Sequence, residues 1–411
     1  MDHDHTSAPV SIPDQPAPTK LRYSSIDTLR GFALLGILVP NIWFFAWPMQ
    51  SYKDSTVLSE SPWNALAHSI MWIGFDSKFR FLFAMLFGAG VIVYASKYEH
   101  PDKRTPIATG ASLWYLRCAI LLGFGLIHAY LFWYGDILTM YAIAGLTLLW
   151  WIRRVPVKLQ MTIGVVLYML GMGLMLGLSY LQVLGEQQGQ QNEFQFMSAA
   201  AQIDAYTGTW GDAFKSRFLT TLVIQLFFLP FYMPTLWGIM TLGMALMRTR
   251  VLTGERTIRW YLFAASIAFA IGIPLTWAWF NWQQGAETKA QITFRHVFVE
   301  PAGVSLAFGY AMCIIAISKI SLFKIITIPL AAVGRMALTN YFAHTLLCTT
   351  FFYGYGLGYF AKIEYPELWI VVACVWAFNI CFSMLWLRFF RMGPFEWVWR
   401  CLTYRQLVPI R

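Results

Sequence analysis

The sequence places two pairs of one cation and one polar side chain at the same spacing. Arg117 and His128 lie eleven residues apart in one apolar stretch, and Arg30 and Asn41 repeat that interval near the amino terminus. In an α-helix, eleven residues bring the second side chain to within about 20° of the first and about 16 Å along the axis. A guanidinium on a membrane helix avoids lipid, so each pair predicts a polar stripe that faces the interior of a helical bundle.

His128 is the group best suited to proton transfer, because imidazole titrates near neutral pH. Asp136 follows eight residues later, about 80° round a continuous helix. It is either an orienting partner for the imidazole or, with Gly135, part of an outer turn. A histidine that only packs and hydrogen-bonds is the other interpretation of His128, and the stripe shared with Arg117 keeps the catalytic one open.

Arg30 and Arg117 both fall near one end of their apolar stretches. An Arg deep in a bilayer costs about 2.5–3.5 kcal/mol on insertion scales, so it has to snorkel, pair or bind an anion. Asp27, one turn before Arg30, offers a local partner. Arg117 has no acid within one turn, so a phosphate-bearing ligand would suit it.

Other polar side chains indicate further contacts inside the bundle. Asn41 follows Pro40, which should bend its helix, and the amide then either lines a cavity or bonds a neighbouring helix. Arg335, Asn340 and His344 lie on more than one face of a late apolar stretch, which predicts a central helix.

The apolar runs that carry these residues define the fold class. Of 411 residues, 58% are hydrophobic and only 12% are charged, a balance that excludes an ordinary soluble globular protein. Several runs exceed the roughly 18 residues that cross a bilayer core, so the sequence predicts an all-α, polytopic membrane bundle of about ten helices. The two longest runs contain Pro or Gly and predict broken or tilted helices. The expected spans are 28–47, 79–96, 113–133, 136–152, 158–182, 218–247, 258–280, 302–318, 325–357 and 367–388.

In a membrane protein, the net charge of +10 reflects how basic residues are distributed between the two sides of the membrane. It does not indicate a nucleic-acid partner. With ten spans, twenty of the thirty Lys and Arg residues fall on the side that holds both termini, and six fall on the other side. This asymmetry predicts that both termini are cytoplasmic. Six cysteines without a CxxC pair indicate neither a disulfide framework nor a metal site.

The remaining segments predict a simple domain organisation. Residues 1–20 are polar and Pro-rich and are expected to be a disordered cytoplasmic tail before a single transmembrane domain, 21–411. The outer connections 48–77, 183–217 and 281–301 are long enough to cap a binding site or merely to connect spans. The oligomeric state is left open, with a homodimer as one alternative.

Several motifs across nearly the whole chain resemble the bacterial YeiB family, long described as a domain of unknown function. That family is similar to the transmembrane acyltransferase superfamily, which includes heparan-alpha-glucosaminide N-acetyltransferase and the acyltransferase-three proteins. The resemblance implies a bacterial cell-membrane protein that uses a cytoplasmic acyl-CoA, such as acetyl-CoA, as co-substrate and has no covalently bound cofactor. The matching motifs are Ser25-Ile-Asp-Thr-Leu-Arg30-Gly31, Leu86-Phe-Gly-Ala-Gly90, Gly125-Leu-Ile-His128, Gly334-Arg-Met-Ala-Leu-Thr-Asn-Tyr341 and Gly393-Pro-Phe-Glu-Trp-Val-Trp-Arg400.

The resemblance also assigns roles to particular residues. Arg117 and His128 match the Arg-x10-His motif of the acyltransferase-three proteins, and Asn41 matches an active-site Asn of the heparan enzyme. That enzyme's catalytic His precedes a Trp-Asn pair in its first outer loop. Here the pair is Trp63-Asn64, but Glu60 stands in the corresponding place, so His128 is the better candidate base.

Two functional hypotheses follow. In the first, Arg30, Arg117 and Arg335 hold the phosphates of acyl-CoA, and His128 with Asn41 activates a hydroxyl or amine on an acceptor at the outer side. In the second, the same polar path serves a non-enzymatic transporter or exporter of a small anionic or amphipathic solute. A scaffold without chemistry is a third alternative. The substrate-side candidates are Asp136, Asn340, His344, Glu60, Trp63 and Asn64.

Overall fold

The computed structural model describes residues 24–49, 51, 61–98, 107–187, 198–284 and 295–411, and every regular element in them is helical. The predicted tail 1–20 and Glu60 lie outside these residues. The first seven helices are α1 Ser24–Ala46, α2 Pro62–Gly74, α3 Lys78–Ala95, α4 Ile107–Ile127, α5 Leu138–Leu146, α6 Leu149–Ile152 and α7 Val157–Gln187. The others are α8 Ala199–Thr207, α9 Trp210–Val223, α10 Leu229–Arg248, α11 Ile258–Gln284, α12 Arg295–Ser318, α13 Lys324–Arg335, α14 Ala337–Phe352, α15 Tyr365–Phe389 and α16 Pro394–Tyr404.

The chain is an all-α, multi-span membrane protein by helix length and hydropathy. Within the described residues, eight helical runs are long and apolar enough to cross a bilayer, and a ninth is added if a bent helix pair counts as one span. The expected span 136–152 is represented by α5 and α6, which are interrupted at Thr147 and are each too short to be counted. That interruption explains why fewer than ten spans are found.

Of the two long runs predicted to be broken or tilted, one is sharply bent, and the other, residues 210–248, continues through a π-helical turn. A turn of π-helix, π2 (Ile224–Phe228), separates α9 from α10 just before Pro230. Helices α13 and α14 meet at 86° around Met336, so the predicted span 325–357 is a sharply bent pair.

The bent pair is anchored by a close crossing with the first helix. A Cβ atom on Gly31 would lie 1.8 Å from the carbonyl oxygen of Leu330, and one on Gly334 would lie 1.9 Å from that of Asp27. Only glycine at both positions lets the backbones of α1 and α13 touch in this way.

Contacts between helix ends define two ends of the bundle. At the aromatic end, the last turn of α1, residues 133–134, α8 and the segment 353–365 share one apolar cluster that includes Trp43, Trp133 and Tyr206. At the basic end, the start of α1 contacts the turn after α10, where Ser25 donates to the carbonyl of Leu252. Arg248 donates to the carbonyls of Arg153 and Val155 at this end, and Lys319 donates to that of Gly254, so several of the described Lys and Arg residues lie near it.

The three long connections contain helical structure. The segment 48–77 includes α2, whose Trp63 is 70% exposed. The segment 183–217 includes α8 and the first two turns of α9, and 281–301 includes the end of α11 and the start of α12. The described parts of these three segments are therefore largely helical.

Candidate functional site

His128 lies at the start of a single π-helical turn that extends α4. This turn, π1 (His128–Phe132), is closed by a hydrogen bond of 2.9 Å from the amide of Trp133 to the carbonyl of His128, five residues back. Such π-turns insert one extra residue into a helix and are frequent at functional sites. The imidazole is fully buried.

A buried arginine stabilises the carbonyl end of π1. Arg217 of α9 is 0% exposed, and its Nε and one terminal nitrogen donate to the carbonyls of Tyr130 and Phe132 at 2.9 and 3.0 Å. The hydroxyl of Thr221, one turn later, donates to the carbonyl of Ala129 at 3.2 Å. Because the last carbonyls of a helix have no partner within the helix, these donors satisfy groups that the end of π1 leaves open.

Asp136 and Thr345 flank the imidazole on its two nitrogen atoms. The Oδ1 atom of Asp136 lies 2.9 Å from Nδ1 of His128, and the Oγ1 atom of Thr345 lies 2.8 Å from Nε2. Asp136 is also held by the amide of Thr139, which donates to Oδ2 at 2.7 Å at the start of α5. From the sequence, Asp136 could be a partner of the imidazole or part of a turn. In the structure it has both roles.

The two sides of the imidazole differ in geometry. His128 Nδ1 and Asp136 Oδ1 are at ion-pair distance, yet neither forms a well-aligned hydrogen bond with any described residue. The carboxylate therefore acts on the ring mainly through its charge. On the other side, the 2.8 Å contact with Thr345 is a hydrogen bond whose direction depends on the ring tautomer.

Aromatic rings enclose the imidazole. The Tyr341 ring centroid lies 4.8 Å from it, the Phe342 centroid 5.2 Å and the Trp133 centroid 6.4 Å. Tyr341 also accepts a hydrogen bond on its hydroxyl from the amide of Ile137, beside Asp136. The pair is thus held in apolar surroundings, where electrostatic interactions are stronger than in water.

Arg117 and His128 lie on one face of the helix formed by α4 and π1, and aromatic side chains cover this face between them. Phe124 lies on that stripe and contacts Phe342 and Phe395, whose rings stack at 4.4 Å. Phe395 belongs to α16, near the carboxyl terminus. In this structure, therefore, packed rings lie between the two predicted functional groups.

Arg117 contacts aromatic rings on two sides. Its guanidinium lies 4.2 Å from the Trp399 ring centroid and 5.5 Å from that of Tyr94. The Trp399 indole also donates to the carbonyl of Arg117 at 2.9 Å. No carboxylate among the described residues lies within ion-pair distance, so the positive charge is not neutralised there.

Glu396 connects α16 to the bend between α13 and α14. Its carboxylate accepts hydrogen bonds from the amides of Leu338 and Thr339 and from the hydroxyl of Thr339. The break at Met336 leaves these amides without partners within the helix, and Glu396 satisfies them. Burial raises the pKa of Glu396, and the hydrogen bonds from Thr339 and Leu338 only partly oppose that increase.

Arg30 and Arg335 lie at the glycine crossing of α1 and α13. Arg30 pairs with Asp27 at 3.3 Å, the local partner that the sequence offered. Arg335 donates to the carbonyl of Arg391 at 3.0 Å. Each is adjacent to one of the two touching glycines, Gly31 and Gly334. The three arginines that were predicted to bind the phosphates of acyl-CoA, Arg30, Arg117 and Arg335, therefore each contact a different group of the protein.

The remaining predicted residues occupy separate positions. Asn41 is half-buried in α1, four residues before Phe45, whose ring stacks on Trp133 at 4.1 Å. Asn340 donates to the carbonyl of Val333 and to the hydroxyl of Ser383, linking the bent pair to α15. His344 is buried on the next turn of α14.

The Asn of the Trp-Asn pair on α2 contacts the residue that precedes α15. Asn64 is buried and donates to the carboxylate of Glu364 at 3.0 Å, whereas Trp63 is exposed. The Asn64 bond therefore fastens α2 to the start of α15.

A second polar site lies between α3, α7, α10 and α12. Arg80 pairs with Glu300 at 3.2 Å, and its guanidinium lies 5.1 Å from the Tyr232 ring centroid. A cavity of about 90 Å³ opens beside them, lined also by Thr235, Met172 and Met175. Tyr141 of α5 donates to the carbonyl of Arg80 at 3.3 Å, which connects this region to the helix that follows Asp136.

Sequence reasoning did not identify Arg217, Thr345, Glu396 or Glu300. One signal for Arg217 exists: Thr209 and Asp212 form a capping box, which predicts a helix from residue 210 and places Arg217 two turns into it. Thr345 and Glu300 have no local signal, because their partners are distant in sequence.

Comparison with known proteins gives relatives along nearly the whole chain. A family model described as a protein of unknown function, DUF418, matches residues 246–406. "Uncharacterized protein YeiB" of Escherichia coli K12 is 34% identical over 94% of this chain and 98% of its own length. "Uncharacterized protein YxaH" of Bacillus subtilis 168 is 31% identical over 96% of this chain and 98% of its own. No solved structure matches.

Proposed function

We propose that this chain, which belongs to the YeiB family of membrane proteins, is an acyltransferase. In this proposal it moves an acyl group from a cytoplasmic acyl-CoA to a hydroxyl or amine at the opposite side of the membrane. The relatives are uncharacterized, so support comes from the site and from the resemblance of the Arg117–His128 motif to acyltransferase-three proteins.

The observation that carries the proposal is the pairing of His128 with Asp136 on one side and a hydroxyl on the other. A carboxylate beside Nδ1 stabilises the imidazolium that forms when Nε2 accepts a proton. The positions of these groups are held by Arg217 and by the start of α5. This arrangement is suited to a general base that activates an acceptor.

The donor is assigned to the basic end, where Arg30, Arg117 and Arg335 lie. Arginine binds phosphate through parallel N–H donors, and the stacked face of Arg117 leaves its edge for such contacts. Arg30 is the weakest of the three candidates, because Asp27 already offsets its charge. Asn41 is the candidate donor of a hydrogen bond to the developing oxyanion.

The topology that this assignment requires has ten crossings with both termini in the cytoplasm. In this proposal the broken pair α5–α6 is the tenth crossing, and it is supported by Arg248 at the end of α10, which donates to carbonyls of Arg153 and Val155 just after α6. Asp136 lies before α5, at the other end of that crossing. The positive-inside rule then places the basic end in the cytoplasm of a bacterial cell. Asp136 and His344 are assigned to the acceptor half in this proposal, whereas Asn340, which bonds the carbonyl of Val333 close to Arg335, lies nearer to the donor end.

Binding of acyl-CoA tests the donor assignment. Acetyl-CoA at 100 times its dissociation constant should stabilise the purified chain by about 2.7 kcal/mol, seen as a rise in thermal unfolding temperature in detergent. Arg117→Gln should remove the gain, while the matched control Arg259→Gln, at an exposed position near the same end, should retain it. Absence of stabilisation by acetyl-CoA and by longer acyl-CoAs would refute the assignment.

A second candidate, transport of a small solute, is favoured by the cavity beside Arg80 and Glu300. Intramembrane ionisable residues often mark solute or proton pathways. In proteoliposomes, flux of unchanged solute that Arg80→Gln abolishes and His128→Ala preserves would support the transporter. Acyl transfer that depends on His128 would support the enzyme.

A further inference from the structure

We propose that Thr345 is a nucleophile, which carries the acyl group as an ester between donor and acceptor. This inference rests on the proposed acyltransferase function and adds a covalent intermediate to it. Its basis is the order of three side chains: Thr345 Oγ1 lies 2.8 Å from Nε2 of His128, and Asp136 Oδ1 lies 2.9 Å from Nδ1.

The three groups come from three different elements. His128 is on π1, Asp136 precedes α5 and Thr345 is on α14, so no local sequence pattern accounts for their meeting. Hydroxyl, imidazole and carboxylate in this order form the arrangement by which enzymes on unrelated folds activate a serine hydroxyl, and Thr345 places a threonine hydroxyl in the same position. Such a constellation is recognised by geometry and roles, whatever the order of its members in the chain.

The alternatives for the hydroxyl proton favour the reactive arrangement. Besides His128 Nε2, the Thr345 hydroxyl has one other acceptor among the described residues, the Tyr341 carbonyl, at 3.5 Å. A contact at 3.5 Å is the weaker of the two. In this proposal the hydroxyl donates along the short contact to Nε2, and the ring proton is on Nδ1, which faces Asp136.

The chemistry balances without further reactants. Thr345 Oγ1 attacks the thioester carbonyl carbon of acyl-CoA, an O–C bond forms and the C–S bond breaks. The hydroxyl proton passes to His128 Nε2 and then to the departing sulfur, releasing free CoA thiol. In the second half, the acceptor hydroxyl or amine attacks the ester carbonyl carbon, a bond from that carbon to the acceptor atom forms, and its bond to Thr345 Oγ1 breaks. The acceptor proton passes to Nε2, and His128 returns it to Thr345 Oγ1.

The burial of Thr345 suits an ester intermediate. The Thr345 side chain is 1% exposed. The rings of Tyr341 and Phe342 lie against the imidazole of His128, which is the proposed general base. An ester on a threonine exposed to water would be lost to hydrolysis, whereas a site that excludes water preserves it for the acceptor.

The experiment uses radiolabelled acetyl-CoA and the full chain in detergent, without an acceptor. We expect a burst of CoA thiol and an acid-stable acetyl label that mass spectrometry places on Thr345. Thr345→Val should lose both, and Thr345→Ser should restore both. His128→Ala should slow thiol release by about 10²–10⁴-fold. The matched control Thr349→Val, which alters a buried hydroxyl one turn later, should label like the native chain.

The outcomes separate this inference from the proposed function. If acetyl-CoA stabilises the chain through Arg117 but no label or thiol burst appears, the nucleophile is refuted and donor binding stands. A label on another residue, or a label that survives Thr345→Val, refutes the role of Thr345 alone. If acyl-CoAs neither stabilise nor label the chain, both proposals fall.

Discussion

Replacement of Arg217 tests whether the π-turn depends on a buried cation. Arg217→Met removes the donors to the carbonyls of Tyr130 and Phe132 while keeping most of the side-chain volume. Each buried carbonyl left without a donor costs about 1–3 kcal/mol, so the two together cost about 2–6 kcal/mol. Because the methionine also avoids the desolvation of a cation, we expect a net loss of about 2–4 kcal/mol.

The measurement compares three chains by thermal unfolding in detergent. Lys215→Met is the matched control, because Lys215 is an exposed cation on the same helix, two residues earlier. It should change the free energy of unfolding by no more than about 0.5 kcal/mol. Arg217→Lys should be intermediate, since an ammonium can reach one carbonyl but cannot form the two-pronged contact.

The functional consequence follows from the position of His128 on π1. If Arg217 holds the turn, Arg217→Met should slow His128-dependent thiol release even at temperatures where the chain stays folded. The reasoning is refuted if Arg217→Met is as stable as Lys215→Met. It is also refuted if the methionine variant is destabilised but releases thiol at the native rate, because the cation would then support only the fold.

Two further predictions concern α16 and the glycine crossing. Burial raises the pKa of Glu396 in the folded chain above its value near 4.5 in the unfolded chain. The protonated side chain therefore contributes stability at pH values below 4.5, and this contribution is lost as the pH rises through the pKa of the folded chain. The free energy of unfolding of the native chain should therefore fall relative to that of Glu396→Gln as pH increases, and parallel pH profiles would contradict this. Gly334→Ala places a Cβ 1.9 Å from the Asp27 carbonyl and should cost about 1–3 kcal/mol or more by thermal unfolding, whereas Gly173→Ala, which meets nothing within 4 Å, should be neutral or stabilising. Equal effects of the two alanines would show that the crossing can open without cost.

Much of the fold could be predicted because hydropathy is a property of the local sequence. The apolar runs locate the long helices, with ends that differ from the predicted ones by up to eight residues, and one of the two runs with Pro or Gly is sharply bent. The 86° bend at Met336 could not be predicted, because a break is stable only where the freed amides find partners. For Leu338 and Thr339 that partner is Glu396, which lies almost 60 residues further on.

The site was predictable only in part, for a related reason. His128 and Asp136 were both named, but on a continuous helix the carboxylate would lie about 80° from the imidazole. The π-turn and the reversal at residues 133–135 bring them to 2.9 Å. That turn is stabilised by Arg217, from a segment that the sequence assigned to an outer loop, so its geometry depends on a tertiary contact.

The cost of this buried polar cluster favours function over packing. An imidazole, a carboxylate and a guanidinium each lose hydration inside the bundle, and well-packed apolar residues of similar volume often give equal or greater stability. His128 by itself could be a packing residue with one hydrogen bond. Here, however, Asp136 is held by the start of α5, and the turn that carries His128 is held by Arg217 and Thr221. Support from both sides fixes the orientation of the imidazole toward Thr345. A group that only filled space would not require that orientation, whereas proton transfer at Nε2 does.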